Sequence, residues 1–199
     1  MWRDLSFNLS PGESLGLTGP SGSGKTLLLR TIAGLEEPDG GEVSLEGRSL
    51  NDWYPPAYRS RVIYFHQQPA FLEGSVEENL RAVFSFGLHR ERAFDRAGIL
   101  AKLSSLGKDG SFLDKPADRL SGGEAQLVAF LRGLQLNPTI LLLDEPTASL
   151  DPETTTQVET LVAEWMTQKP DHAVVWTSHD PDQLNRLTTR TVPLSGPPT

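Results

Sequence analysis

Short apolar runs alternate with stretches of helical periodicity along most of the chain. The apolar runs typical of strands are residues 14–17, 61–65, 140–143 and 173–177. The stretches with the spacing and end signals of helices are residues 25–33, 76–84, 91–106, 121–136, 152–168 and 181–187. The run at residues 140–143 is apolar throughout, as in strands that are buried on both faces of a parallel sheet. The alternation therefore predicts an α/β fold with a parallel sheet.

Three segments depart from this alternation. Residues 5–9 and 42–47 alternate between apolar and polar positions, so we predict that they add a short antiparallel β edge to the fold. Residues 68–120 contain helical patterns but no buried strand. We therefore predict a single domain, in which residues 68–120 form an inserted α-helical subdomain. The remainder, residues 1–67 and 121–199, is predicted to form the α/β lobe.

Composition and charge narrow the classes of function. The chain has 199 residues, the size of one domain, with 18 Lys and Arg against 26 Asp and Glu and a net charge of −8. A nucleic acid would be repelled by this charge, so we expect no nucleic-acid partner. The absence of cysteine excludes disulfides and thiol chemistry. Residues 1–4 lack the apolar core of a signal peptide and no aliphatic run could cross a membrane, so we expect a soluble cytoplasmic protein.

The sequence GPSGSGKT fits the phosphate-binding pattern G-x-x-x-x-G-K-[ST], and it lies between a predicted strand and a predicted helix, as the pattern requires. Glycines let successive N–H groups converge on phosphate oxygens, and the helix start adds partial positive charge. Lys25 supplies a full charge to the β- and γ-phosphates, and the Thr26 hydroxyl is suited to ligating Mg²⁺. The predicted nucleotide-binding residues are Gly19, Pro20, Ser21, Gly22, Ser23, Gly24, Lys25 and Thr26.

Two carboxylates follow the predicted strand at residues 140–143. Ligands of parallel sheets bind at the carboxyl ends of the strands, where Asp144 and Glu145 stand. Asp144 is suited to holding Mg²⁺, directly or through water, and Glu145 to polarising the water that attacks the γ-phosphate. An ordinary strand end with acidic loop residues would have the same appearance. The phosphate-binding pattern elsewhere in the chain favours the catalytic interpretation.

A second glycine pair opens the predicted helix that begins near residue 121. Ser121, Gly122 and Gly123 form a possible second phosphate nest. One nucleotide does not need two such nests in one subunit, so the economical explanation is that this nest serves the nucleotide of a partner subunit. A capped helix with a glycine-rich entry remains the alternative.

Taken together, these motifs resemble the nucleotide-binding domain of ATP-binding cassette (ABC) transporters, and the resemblance covers nearly the whole chain. In addition to the phosphate loop, the family's motifs match HQQP at 66–69, LSGGE at 120–124, ILLLDEP at 140–146, SLD at 149–151 and TSHD at 177–180. Six motifs in the family's order identify the chain as a member of the family. The stretches at residues 58–61 and 67–69 look most like the small ATPases linked to iron export and aluminium tolerance.

The resemblance implies a head-to-tail homodimer that binds two ATP and Mg²⁺ at its interface. Each ATP would lie between the Lys25 loop of one subunit and Ser121, Gly122 and Gly123 of the other. Gln67 would contact Mg²⁺ and the attacking water. His179 would hydrogen-bond the γ-phosphate, and Asp151 would brace the opposite site.

The resemblance also implies a partner in the membrane. A separate transmembrane permease subunit would dock in the groove beside the Gln67 loop and the helical insert. The chain would then be a cytoplasmic protein, peripheral on the inner face of the cell membrane. The permease, rather than this chain, would select the cargo.

The chain departs from the family pattern at the adenine site. In the family an aromatic residue well upstream of the loop lysine usually stacks on adenine, and only 24 residues precede Lys25 here. Either the true start lies upstream or another surface holds adenine. Trp2 is the nearest aromatic residue, and we expect it to serve packing instead. Leu127 also stands where an arginine is frequent in the family.

Other functions of related chains fit the sequence less well. DNA-repair and chromosome ABC ATPases carry long coiled-coil inserts, and no heptad run separates Lys25 from Ser121. Translation-associated members carry two cassettes in one chain. A P-loop nucleotide kinase has no need of the LSGGE motif or of His179. A non-hydrolysing regulatory subunit would lack Glu145 or Lys25, and both are present.

Overall fold

The computed structural model describes residues 5–194, which divide into two compact units. The first, called here the sheet unit, comprises residues 5–67, 138–148 and 163–194. The second, called the helical unit, comprises residues 68–137 and 149–162. Trp2, which we expect to serve packing, lies outside the described residues.

The sheet unit is built on five parallel strands. The strands of the protein, in chain order, are β1 Ser14–Thr18, β2 Ser44–Leu45, β3 Arg48–Ser49, β4 Val62–Phe65, β5 Ile140–Asp144, β6 Ala173–Thr177 and β7 Arg190–Pro193. The main sheet has the order β4-β5-β6-β1-β7, and every neighbouring pair is parallel. Strands β2 and β3 form a separate antiparallel pair. The predicted α/β fold with a short antiparallel edge is confirmed.

Helices cover the main sheet within the sheet unit. These are α1 Lys25–Ile32, α2 Pro55–Arg61 and α7 Pro181–Leu187, while α6 Pro152–Gln168 belongs partly to each unit. Helix α1 ends where the sequence predicted, because Gly34 has φ +66°, a left-handed conformation that suits glycine. Its buried face packs against strands β1, β5 and β6 in a core that includes Leu15, Leu17, Leu29, Leu142 and Val175. Burial of each such side chain contributes about 1.5–3 kcal/mol.

The predicted first strand is wrong. Residues 5–9 do alternate as expected, with Leu5, Phe7 and Leu9 packed against the core and the residues between them exposed. However, the segment takes part in no strand pairing among the described residues. An alternating pattern indicates which side of an extended segment is buried. A β-strand also needs backbone hydrogen bonds to a neighbouring strand. The predicted edge strand at residues 42–47 is likewise reduced to the two residues of β2.

The helical unit contains α3 Val76–Ala82, α4 Arg96–Ser105, α5 Gly122–Leu134 and the first part of α6. It therefore takes in α5 and residues 149–162 as well as the predicted subdomain at 68–120. Helix α4 begins five residues later than predicted, because the Asp95 carboxylate accepts a hydrogen bond from the Gly98 N–H at 2.9 Å and caps the helix there. No helix within residues 5–194 combines the length and apolarity needed to cross a lipid bilayer.

Candidate functional site

The predicted motifs of the sheet unit follow four adjacent strands. The phosphate loop follows β1, His179 comes shortly after β6, Glu145 comes directly after β5, and Gln67 comes two residues after β4. Since β4, β5, β6 and β1 are neighbours and all parallel, their carboxyl ends share one edge of the sheet. Ligands of such sheets bind at this edge. Motifs that are far apart in the sequence therefore converge in the structure.

The phosphate loop depends on glycine at positions of unusual backbone geometry. Gly19 has φ +151°, and a Cβ atom there would lie 2.7 Å from the Leu194 carbonyl oxygen. Gly22 has φ +78° with no other atom within 4 Å of a Cβ, and Gly24, the N-cap of α1, has φ +91°. Residues that carry a side chain rarely adopt such backbone φ values, so these positions favour glycine. The result is an open backbone surface at Gly22 that a phosphate group can approach closely.

Lys25 turns back into this loop. Its Nζ donates to the carbonyl oxygens of Gly19 at 2.8 Å and Pro20 at 3.3 Å, and the residue is 7% exposed. Lys25 is also the first residue of α1, where the helix presents unpaired N–H groups. The ammonium group and the helix start therefore put positive charge at the same place. This combination is suited to binding the phosphates of a nucleotide.

A cavity of about 460 Å³ opens at this edge of the sheet unit. Its lining residues are Ser21, Gly22, Gly24, Lys25, Thr26, Leu27, Arg30, Glu145 and His179. The structure thus brings most of the predicted loop together with two of the predicted catalytic residues. Leu27 and Arg30 were not singled out from the sequence. Their i, i+3 spacing on the predicted helix after Lys25 was the available signal, because such residues share one helix face.

Asp144 is buried at the end of β5, and each of its two carboxylate oxygens accepts a hydrogen bond from a hydroxyl group. Tyr64 donates to Oδ2 at 2.8 Å and Thr177 donates to Oδ1 at 3.2 Å, and Asp144 is only 4% exposed. Burial and the hydrogen bond to Asp144 raise the pKa of Tyr64. The phenol therefore remains protonated at neutral pH and serves as a donor. Tyr64 was not predicted as a site residue.

Glu145 has a backbone conformation that is uncommon for a residue with a side chain. Its φ is +49°, in the left-handed region, and its N–H donates to Thr177 Oγ1 at 2.9 Å. Its Oε1 lies 2.8 Å from Nε2 of His179, whose side chain is 61% exposed. We predicted that His179 would contact the γ-phosphate, and here its partner is the carboxylate of the predicted general base. Both groups line the same cavity, so either could reach a phosphate bound there.

Gln67 is exposed and is not among the residues that line the cavity. It nevertheless lies at the same sheet edge, because Phe65 is in register with Leu143, and Gln67 and Glu145 each follow two residues later. Its predicted contact with Mg²⁺ and water remains a prediction.

The remaining predicted residues belong to the helical unit. Ser121 caps α5 in a capping box: its Oγ accepts from the Glu124 N–H at 3.3 Å, and the Glu124 carboxylate accepts from the Ser121 N–H at 2.8 Å. Gly122 has open space around it, whereas a Cβ on Gly123 would lie 3.0 Å from Thr154. The backbone N–H groups at this helix start therefore remain approachable on the Gly122 side.

Two carboxylates, those of Glu124 and Asp151, accept hydrogen bonds at the starts of α5 and α6. Burial opposes ionisation of Glu124, but its hydrogen bonds with Lys115 and Ser121 hold its pKa below the ordinary value. Asp151 accepts from the N–H and the hydroxyl of Thr154, at 2.9 and 2.7 Å, and these bonds lower its pKa. Asp151 therefore caps α6, and its predicted role at an opposite site remains a prediction.

The donor set at the sheet edge fits Mg²⁺. Within residues 5–194 no group of three or more His, Cys, Asp or Glu side chains could hold a metal ion by itself. A hard cation that keeps waters and binds phosphate oxygens needs only one or two protein ligands. The Asp144 carboxylate has a second lone pair on each oxygen, and the Thr26 hydroxyl lines the cavity. These two groups are the candidates to hold Mg²⁺ beside a nucleotide.

A phosphate loop after β1 of a parallel sheet, with an acidic pair after β5 at the same edge of that sheet, defines a P-loop nucleotide hydrolase. Residues 2–148 match the ABC transporter family by sequence, and the chain belongs to this family. It is an ATP-binding and ATP-hydrolysing subunit of the ABC type. The resemblance inferred from the six motifs is confirmed.

Individual relatives agree with this assignment. The probable iron export ATP-binding protein FetA of Escherichia coli is 36% identical over 92% of this chain and 80% of its own length. The Fe(3+) ions import ATP-binding protein FbpC 3 of Rhodococcus jostii is 37% identical over 92% of this chain, which spans only 52% of that relative. The narrower resemblance to iron-export ATPases is thus also found among the relatives.

A solved structure has the same fold. The ATP-binding cassette MJ0796, a dimer in a post-hydrolysis state bound to ADP and Pi, is 28% identical with a TM-score of 0.79. The match covers 95% of this chain and 84% of that chain.

Proposed function

We propose that this chain works as a homodimer that binds two ATP, and that closure and opening of the dimer drive a separate transmembrane permease. The observation that carries the proposal is the cavity in which Lys25, Thr26, Glu145 and His179 meet at the carboxyl edge of the sheet. The dimeric relative with bound ADP and Pi supports the homodimer, and the relatives named for transport support the permease.

In this proposal the predicted site residues at the sheet edge divide the tasks of hydrolysis. The loop N–H groups and Lys25 bind the β- and γ-phosphates. Thr26 and Asp144 would hold Mg²⁺, which when bound would supply positive charge to the phosphates of the nucleotide and of the leaving ADP. A water attacks the γ-phosphorus and gives its proton to Glu145. Gln67 orients that water.

His179 has two possible partners in the same cavity, and this fits a role in signalling the nucleotide state. Its Nε2 is within hydrogen-bonding distance of Glu145 and is exposed enough to move. We propose that the γ-phosphate competes with Glu145 for His179. The Glu145 carboxylate would then be free to accept a proton when ATP is present.

The second half of each site is proposed to come from the partner subunit. Ser121, Gly122 and Gly123 begin an α-helix with approachable N–H groups, and that helix is stabilised by its capping box. A helix start of this kind binds phosphate. Facing the γ-phosphate across a head-to-tail interface, it would close the dimer when ATP binds. Asp151 would brace that interface.

The permease is proposed to dock on the helical unit. A cavity of about 740 Å³ there combines apolar and acidic groups, with Leu72 60% exposed. Its lining residues are Phe71, Leu72, Glu73, Gly74, Ser75, Asp114, Pro116, Ala117, Asp118 and Arg119. A short permease helix with apolar and basic side chains would complement this lining. The chain would then be peripheral on the inner face of the cell membrane, and the relatives named for iron make iron the cargo to test first.

Glu145→Gln tests the hydrolytic part of the proposal. The amide keeps the size of the side chain but cannot accept the proton of the attacking water. We expect hydrolysis to fall about 10²–10⁴-fold while ATP binding is retained. The measurement combines ATPase rates with light scattering after size-exclusion chromatography.

With hydrolysis blocked, the variant should accumulate as an ATP-bound dimer, whereas the wild type in ADP should remain monomeric. Hydrolysis near the wild-type rate would remove Glu145 from the role of general base. A variant that binds ATP but stays monomeric would contradict the dimer.

A further inference from the structure

Tyr64 is a side chain outside the predicted site that touches its metal-binding carboxylate. Its hydroxyl donates to Asp144 Oδ2 at 2.8 Å, and the hydroxyl of Thr177 donates to the other oxygen at 3.2 Å. A carboxylate that is held on one oxygen only can still rotate about its terminal torsion, which is broad in aspartate. With a donor on each oxygen, the plane of the Asp144 carboxylate is fixed.

The sheet register explains how Tyr64 reaches Asp144. Tyr64 lies opposite Leu142 in the parallel pair β4–β5, so Asp144 is two residues further along the neighbouring strand. Residues two apart on a strand share a face, and an aromatic side chain is long enough for this diagonal contact. The contact thus needs a large side chain that ends in a donor, and tyrosine provides both.

We infer that Tyr64 is a positioning residue for the metal: it orients the Asp144 carboxylate so that a free lone pair faces Mg²⁺ beside the nucleotide. The inference rests on the proposed role of Asp144 as a metal ligand. Hydrogen-bond partners of metal ligands commonly affect metal affinity 10–100-fold, because they fix the orientation of the ligand. Tyr64 also stands three residues before Gln67 on the same chain segment. Its hydrogen bond therefore links the Asp144 carboxylate to the end of β4.

A second tyrosine, Tyr58, provides a matched control. The Tyr58 hydroxyl donates to the Ile32 carbonyl oxygen at 2.5 Å, also within the sheet unit. Tyr58→Phe and Tyr64→Phe each remove one hydroxyl group and its hydrogen bond. Only Tyr64→Phe removes a bond to Asp144. A general loss of packing or stability would affect both variants.

The experiment measures metal binding apart from hydrolysis. ADP affinity is determined by calorimetry in EDTA, and Mn²⁺ affinity in the ADP complex by electron paramagnetic resonance. We expect Tyr64→Phe to weaken Mn²⁺ binding about 10-fold or more and to leave metal-free ADP affinity within about twofold. Tyr58→Phe should leave both affinities unchanged and lower only the melting temperature. Tyr64→Leu gives the same readout if the Phe variant folds poorly.

Mn²⁺ affinity within about twofold of wild type in Tyr64→Phe would overturn the inference, and so would a loss of metal-free ADP affinity as large as the loss of Mn²⁺ affinity. Asp144→Asn separates this outcome from failure of the proposed function. If Asp144→Asn keeps wild-type Mn²⁺ affinity, Asp144 is not a metal ligand and both ideas fail. If Asp144→Asn loses Mn²⁺ binding while Tyr64→Phe keeps it, only the role of Tyr64 is wrong.

Discussion

Gly19 and Gly22 both have positive φ values in the phosphate loop, but they differ in what surrounds them. A Cβ at Gly19 would lie 2.7 Å from both the Leu194 carbonyl oxygen and Ser23 Oγ. A Cβ at Gly22 would meet nothing within 4 Å, and Gly22 is one of the residues that line the cavity. One glycine is therefore needed for close packing of the loop on the sheet unit, and the other for access of the ligand.

Alanine substitutions should separate these two roles. Gly22→Ala should cost about 1–2 kcal/mol, the price of a left-handed conformation with a side chain. Gly19→Ala should cost a further 1–3 kcal/mol or so, because the backbone must also shift to relieve the clash. Urea denaturation measures both. Gly22→Ala should fold well but bind ATP more weakly, and equal losses of stability in the two variants would contradict this account.

The residues with motif signals could be predicted from the sequence, and those defined by register could not. Lys25, Asp144 and Glu145 follow from spacing to a strand or helix end. Tyr64 has no motif, because its importance depends on which strand lies beside β4 and in what register. Nor does any pattern in the sequence indicate the contact between Glu145 and His179.

At the scale of elements, α3 and α5 begin in the same way within residues 5–194. Helices α3 and α5 each start with a capping box, formed by Ser75 with Glu78 and by Ser121 with Glu124. Each serine accepts a hydrogen bond from an otherwise unpaired N–H, and each glutamate accepts one in return. Only the capping box of α5 is proposed to face a nucleotide, so the capping box of α3 serves as an internal control.

Replacing each capping serine by alanine should therefore give equal stability effects and unequal functional effects. Ser75→Ala and Ser121→Ala should each lower the free energy of unfolding by about 1 kcal/mol, as is typical for loss of an N-cap. Only Ser121→Ala should also weaken ATP-dependent dimerisation, because its hydroxyl and helix start are proposed to contact the γ-phosphate. Denaturation and light scattering in ATP test the pair. Equal dimerisation of the two variants would assign Ser121 a capping role alone.

Elements with a strong apolar pattern were predicted well. Strand β6 and helices α6 and α7 have the predicted bounds. Strand β7 was missed because it lies at the sheet edge, where three of its four residues are exposed, and so leaves no long apolar run. Helix α2 was missed because Pro55 and Pro56 suggest a break, although proline at the first positions of a helix is compatible with it.

At the scale of the whole molecule, strand order turns separate motifs into one site. Pattern alone predicts parallel strands, but not that β5 and β6 lie between β4 and β1. This order places the loop of Lys25 and the carboxylate of Glu145 at one edge, and leaves Ser121 in the helical unit. Half of the proposed site is therefore assembled within the sheet unit of one chain, and the other half is expected from a second chain.

Mixing two inactive variants tests this composite site. In a homodimer of Lys25→Ala every site lacks the lysine, and in a homodimer of Ser121→Arg every site has a bulky cation at the helix start. A mixed dimer contains one site with both defects and one with neither, if Lys25 and Ser121 act across the interface. Random pairing makes about half of the dimers mixed, so ATP hydrolysis should recover in part on mixing.

The extent of recovery distinguishes the two geometries. If Lys25 and Ser121 served the same nucleotide within one chain, mixing would restore nothing, because each chain would keep its own defect. Recovery that rises and then falls as the ratio of the variants passes through one to one is expected only from a shared site. A constant rate at every ratio, equal to that of the separate variants, would contradict the head-to-tail dimer while leaving the Lys25 loop as a phosphate site in the single chain.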